Sequence, residues 1–279
     1  MKPKYAVVAI HGINGESGKT QQGFSNPLAD LVIPQKSLKE KFWHEAVWEG
    51  ICDDLDKEIK KIVTELICSY NFEDYFVEKM EGKSGFKKIL PSIGVFATLF
   101  AKDVISDLIA SILDYALDLP LYLGGAYGCE MRSIVEEKIK SVADETGQKV
   151  VVVSHSLGSV IAYDAVAKLS AGEEDSQVAA LVTMGSPLAW VSRLRKKRKC
   201  ADELLTVPDS LKWLNFYNKI DPVPLKKGLP AEAFPSVENI ETAFEGKKPL
   251  VAHSAYWTDD QVVKAIQNIV GWKDKKGSR

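Results

Sequence analysis

Along the chain, short runs of β-branched and other apolar residues alternate with longer stretches in which apolar residues recur every three or four positions. The first pattern is that of a strand buried on both faces, and the second that of an amphipathic helix. Their alternation predicts an α/β protein: a mostly parallel sheet with helices on both faces. Strands are expected over Tyr5 to Ile10, Val150 to Val153, Ala180 to Met184 and Leu214 to Tyr217. A further short strand is expected near Leu250 and Val251, and Trp43 to Trp48 is another candidate. Helical spacing covers Asp53 to Ser69, Met131 to Thr146, Ser159 to Leu169 and Asp260 to Val270, with Thr258 and Asp259 as caps for the last. A length of 279 residues fits one α/β domain over 1–279.

Between Gly82 and Gly128 the pattern changes. The segment is bounded by glycines and too apolar for a surface connection, yet its acidic residues Asp103, Asp107, Asp114 and Asp118 recur at helical spacings. Residues 82–128 therefore read as a helical insertion. It is either a buried helix pair that completes the core or a lid over an apolar pocket. The same acids, with Lys102, argue against a bilayer-spanning helix. The Tyr5 to Ile10 run is shorter than the apolar core of a signal peptide.

Composition narrows the partners. Apolar residues at 46% and charged residues at 27% are ordinary for a globular protein with a sizeable core. A net charge of −2 provides no field that would gather nucleic acid. The one strong charge block, Arg193 to Lys199, is a solvated face or a peripheral contact for anionic lipid or a phosphate-bearing substrate. Cys52, Cys68, Cys129 and Cys200 lie far apart with no C-x-x-C pair, which suggests neither a compact zinc site nor a disulfide framework and fits a reduced, cytoplasmic setting.

Chemistry concentrates in KVVVVSHSLGSVIAYDAV, where an apolar strand runs into Ser154-His155-Ser156-Leu157-Gly158 and then into a helical pattern. A strand, a sharp turn and a helix are the context of a nucleophile elbow, which needs small residues two positions before and after the nucleophile. Gly158 meets that need, and Ser154 stands where G-x-S-x-G has its first glycine. Attack on an ester carbonyl also needs two N–H donors for the oxyanion. Leu157 would supply one. Ile13, in the His11-Gly12-Ile13-Asn14-Gly15 loop after the first strand, is the choice for the other, with Asn14 the weaker option.

A serine hydroxyl needs a base, and the base needs a carboxylate to fix its tautomer. Of the four histidines, His11 belongs to the oxyanion loop, His44 precedes the elbow, and His155 is expected to point away from its neighbour Ser156, which leaves His253 as base. Asp221, after the Leu214 to Tyr217 strand, is the candidate acid, with Asp209 as its competitor. The order Ser, Asp, His is that of the α/β-hydrolase fold.

The pieces AIHGI, VVSHSLGSVIAYD, TMGSPL, NKIDPVP and AHSAYW resemble those of bacterial α/β-hydrolases of the lipase-like and GPI-inositol-deacylase-like kind. The resemblance implies that fold and hydrolysis of carboxylic esters, often of lipids, without metal or organic cofactor. It places nucleophile, acid and base on Ser156, Asp221 and His253. Two other readings remain. GINGESGKT is similar to a phosphate-binding loop, but five residues separate Gly12 from Gly18 where the P-loop needs four. A hydrolase-like binding protein without catalysis is the other.

Overall fold

The computed structural model describes residues 2–12, 23–48, 122, 128–171, 176–191, 205–224, 227–243 and 249–272. Its strands are β1 (Ala6–Ile10), β2 (Trp43–Ala46), β3 (Val150–His155), β4 (Val178–Met184), β5 (Lys212–Tyr217) and β6 (Val237–Glu241). They form one six-stranded, all-parallel sheet in the order β2-β1-β3-β4-β5-β6. The sheet centre follows from composition. β1 (AVVAI) and β3 (VVVVSH) are buried at every position, so both faces must be apolar, and both strands are, until β3 reaches its polar end. Each buried valine contributes about 1.5–3 kcal/mol by leaving water.

The helices are α1 (Asn26–Val32), α2 (Lys36–Phe42), α3 (Gly128–Thr146), α4 (Leu157–Leu169), the short α5 (Leu188–Val191), α6 (Pro249–Ser254), continued by a 3-10 turn (Ala255–Thr258), and α7 (Asp260–Val270). From β1 the chain steps outward to β2, then returns past β1 to β3 and proceeds toward β6. With right-handed crossovers, that reversal assigns the helix before β2 and the helices around β3 to opposite faces. The packing agrees: α1 lies on α7, while α3 lies on α4 and both touch β1 and β3. The direction reverses between β1 and β3, and open α/β sheets bind ligands outside the C-terminal strand ends at such a point.

Local signals explain the element ends. Asp259 caps α7 by accepting from the N–H groups of Gln261 and Val262, and Gly271 closes the helix at φ 70°. The strands expected at Tyr5, Val150, Ala180 and Leu214 are present with shifted ends, as is the Trp43 candidate, and three of the four expected helices lie where spacing put them. The strand expected at Leu250 and Val251 is instead part of α6: Pro249 presets the first helical turn, and a two-residue apolar run fits either period. The strand β6 is not among the expected strands, because three of the five residues of its sequence VENIE are polar. It is an edge strand with Glu238, Asn239 and Glu241 exposed, a composition that discourages further pairing. Cys129 is disulfide-bonded rather than a reduced thiol, and its partner cysteine lies outside the described residues, at a sequence distance that spacing motifs do not register.

The expected helix Asp53 to Ser69, the basic block Arg193 to Lys199, and the 82–128 insertion apart from Tyr122 and Gly128 also lie outside the described residues. Among the described residues, no helix is long and apolar enough to cross a membrane, and no group of three or more His, Cys, Asp or Glu side chains is placed to hold a metal ion.

Candidate active site

Ser156 sits between the end of β3 and the start of α4 with φ 52° and ψ −130°, the one non-glycine residue with positive φ among the described residues. A side chain held there costs about 1–3 kcal/mol unless its surroundings fix it. The surroundings do. The Ser156 N–H donates to Met184 O at 3.0 Å, and Ser159 Oγ lies 2.5 Å from Ser156 O and 2.7 Å from Ser186 Oγ, which locks the first turn of α4. Neighbouring chain passes so close that side chains are excluded. A Cβ on Gly158 would stand 2.0 Å from His11 O, and one on Gly12 would stand 2.6 Å from Ser156 Cβ. Ser154 is tolerated at the other small position because its buried hydroxyl is satisfied sideways, donating to Val182 O at 3.0 Å.

Leu157 is the first residue of α4, where a backbone N–H has no intrahelical acceptor and carries the positive end of the helix dipole. Its N–H is therefore available to an anion formed at Ser156. Ile13, the other expected donor, lies outside the described residues, although its predecessor Gly12 is pressed against Ser156. The residues GINGESGKT from Ile13 onward are outside them as well.

The structure brings Asp221 and His253 together. Asp221 is fully buried just beyond β5, and His253 lies in α6. His253 Nδ1 stands 2.9 Å from Asp221 Oδ2 and 3.1 Å from Oδ1. A carboxylate accepts, so Nδ1 carries the proton and Nε2 is left as the basic nitrogen. Two further donors complete the carboxylate: Tyr256 O–H to Oδ2 at 2.8 Å, and the Val223 N–H to Oδ1 at 3.0 Å. Burial, and after it the charge of Asp221, push the Tyr256 hydroxyl well above the usual phenol range, so it remains a donor. Asp209, the competing acid, is exposed before β5 and makes no bond to His253. Among the described residues no hydrogen bond joins Ser156 Oγ to His253; such bonds are often loose without substrate.

Two residues given no role from sequence belong to this arrangement. Gly185 follows β4 at φ 55°, and a Cβ there would meet Tyr256 Cε2 at 2.9 Å and both Asp221 Oδ2 and His253 Nδ1 at 3.0 Å. Only glycine leaves room for the acid and base to meet, and its place after a strand on the C-terminal edge was the available signal. The other is His155. It donates from Nε2–H to the His253 carbonyl oxygen at 2.6 Å.

An arc of rings borders the site. Trp48 stacks on His11 at 4.6 Å, His11 meets Phe24 edge-on at 5.4 Å, Phe24 meets Trp257 at 5.6 Å, and Trp257 lies 5.6 Å from His155. His11 donates from Nδ1 to Gly12 O at 2.5 Å and accepts at Nε2 from the backbone N–H of Trp48 at 3.4 Å. Burial lowers its pKa to about 4, so it is a neutral wall rather than a charge. The loop bearing Phe24 is tied to β2 by Glu45, which accepts from the Gly23 N–H at 2.6 Å and the Ser25 N–H at 2.8 Å.

The chain matches no protein-family model, and comparison with curated proteins finds no similar sequence.

Proposed function

We propose that the protein is a serine hydrolase of the α/β-hydrolase type that cleaves carboxylic esters. The observation that carries this reading is the strained Ser156 beside a buried, hydrogen-bonded Asp221–His253 pair. Three features support it. The nucleophile follows β3, the acid follows β5 and the base follows β6, in the chain order of that fold. The parallel sheet presents all three beyond its C-terminal edge, and Leu157, next to Ser156, opens a helix, where a backbone N–H has no intrahelical acceptor.

In this reading the Ser156 hydroxyl attacks the ester carbonyl as its proton passes to His253 Nε2. Asp221 stabilises the imidazolium, and Leu157 and Ile13 N–H groups hold the oxyanion. The imidazolium then protonates the leaving alkoxide, giving an acyl-serine. Water, deprotonated by His253, releases the carboxylic acid and restores the serine. Phe24 and Trp257 give the neighbourhood an apolar border, which favours acyl chains over charged substrates, each buried methylene contributing about 0.8 kcal/mol. The direct test is labelling by a fluorophosphonate together with turnover of p-nitrophenyl butyrate. Ser156→Ala is expected to abolish labelling and lower turnover about a million-fold while the protein stays folded. A folded Ser156→Ala protein with undiminished esterase activity would overturn the assignment, and an unlabelled wild type would favour a binding protein.

A further inference from the structure

We propose that His155 is a positioning residue that fixes the catalytic base relative to the nucleophile. The inference rests on the hydrolase reading and deepens it. His155 immediately precedes Ser156, and its Nε2 lies 2.6 Å from the carbonyl oxygen of His253, 98 residues further along the chain. A carbonyl can only accept, so His155 carries its proton on Nε2 and donates. One side chain thus joins the backbone that bears the base to the backbone that bears the nucleophile.

The place where this bond acts matters. His253 is the second-last residue of α6, a helix of six residues whose final carbonyls lack partners four positions ahead. A helix that short has little cooperativity of its own. The Asp221 contact holds the His253 ring at Nδ1 alone. The His155 bond restrains the main chain below the ring, and the two rings lie 4.5 Å apart at 39°. With both ends held, Nε2 has one direction to point.

The surroundings keep His155 a donor of one kind. Trp257 and Tyr256 flank its ring at 5.6 Å and 6.0 Å, and it is 8% exposed. The titratable groups that face it are His253, Asp221, His11 and Tyr256. Burial first, and then the nearby His253, lower its pKa to about 3. His155 therefore stays neutral while His253 gains and loses its proton, and it does not place a second positive charge beside the imidazolium.

The test compares wild type with His155→Leu, which removes the donor, and His155→Gln, whose side-chain amide can reach the same carbonyl. The readouts are kcat and KM for p-nitrophenyl butyrate from pH 5 to 9, the rate of fluorophosphonate labelling, and thermal unfolding. A misplacement of about 1 Å in a base costs on the order of 100-fold, so His155→Leu should lose about 10- to 100-fold in kcat and in labelling rate with KM nearly unchanged. His155→Gln should recover most of that loss. The labelling rate of His155→Leu should stay low at every pH, because the fault is in geometry and not in protonation. A folded His155→Leu protein with wild-type kcat overturns this inference alone. So does a His155→Gln protein impaired as deeply as His155→Leu, since a general packing defect would explain both. A wild type inert to both reagents overturns the hydrolase reading and this inference with it.

Discussion

Asp221, just beyond β5, and Glu136, in the middle of α3, are both buried carboxylates, yet the molecule surrounds them with opposite chemistry. Glu136 lies between two permanent cations, with Arg132 Nε at 2.9 Å and Lys168 Nζ at 3.0 Å, and so ties α3 to α4. Among the described residues, Asp221 meets two neutral donors, the Tyr256 hydroxyl and the Val223 N–H, and the imidazole of His253. A carboxylate already matched by fixed cations has little left to offer a transient positive charge. One held by neutral dipoles keeps its full charge facing His253. The contrast teaches that burial alone does not separate a structural carboxylate from one suited to the proposed chemistry; the nature of its partners does.

The sharpest way to break the contrast is to neutralise each acid in turn. Asp221→Asn should lower kcat about ten-thousand-fold, because an amide can no longer fix the His253 tautomer. Asp209→Asn, altering an exposed side chain, should leave steady-state kinetics unchanged; a crippled Asp209→Asn beside an active Asp221→Asn would transfer the role to the other acid. Removing one neutral donor should weaken the site without silencing it. For Tyr256→Phe we expect about a tenfold loss in kcat, since a hydrogen bond to a charged group contributes about 1.5–3 kcal/mol and the other donors remain. A kcat equal to wild type would show that Tyr256 fills space only. Glu136→Gln, like Asp209→Asn, should leave kcat unchanged, but with stability to urea reduced by about 1–3 kcal/mol as Arg132 and the half-exposed Lys168 lose their acceptor charge. Loss of activity at full stability would mean that the two carboxylates are coupled and the contrast is false.

How much of this was legible beforehand depends on whether a signal was local. The valine run of β3, the small residues around Ser156 and the helical spacing of α4 are contiguous, so strand, elbow and helix could be read directly. Asp221 is a candidate from its place after the Leu214 to Tyr217 strand and His253 by elimination among the four histidines, and their contact joins the segments that follow the paired strands β5 and β6. What sequence did not reveal depends on long-range approach. Gly185 looks like any turn glycine until the acid and base close over it, and His155 was judged against its neighbour Ser156 when its partner lies across the site. The elements β6 and α6 are short, and too few residues carry a period to separate strand from helix.

The backbone at Ser156 has one more implication, which concerns the balance between stability and use. At φ 52° and ψ −130° glycine would rest more easily than any residue with a Cβ. A chain shaped for folding alone would carry glycine there, and the strain of about 1–3 kcal/mol is a sizeable share of the 5–15 kcal/mol by which a typical domain is folded. The fold thus carries a serine where its own conformational preferences ask for none, and under the proposed hydrolase reading that cost in stability is the counterpart of placing a hydroxyl at the turn.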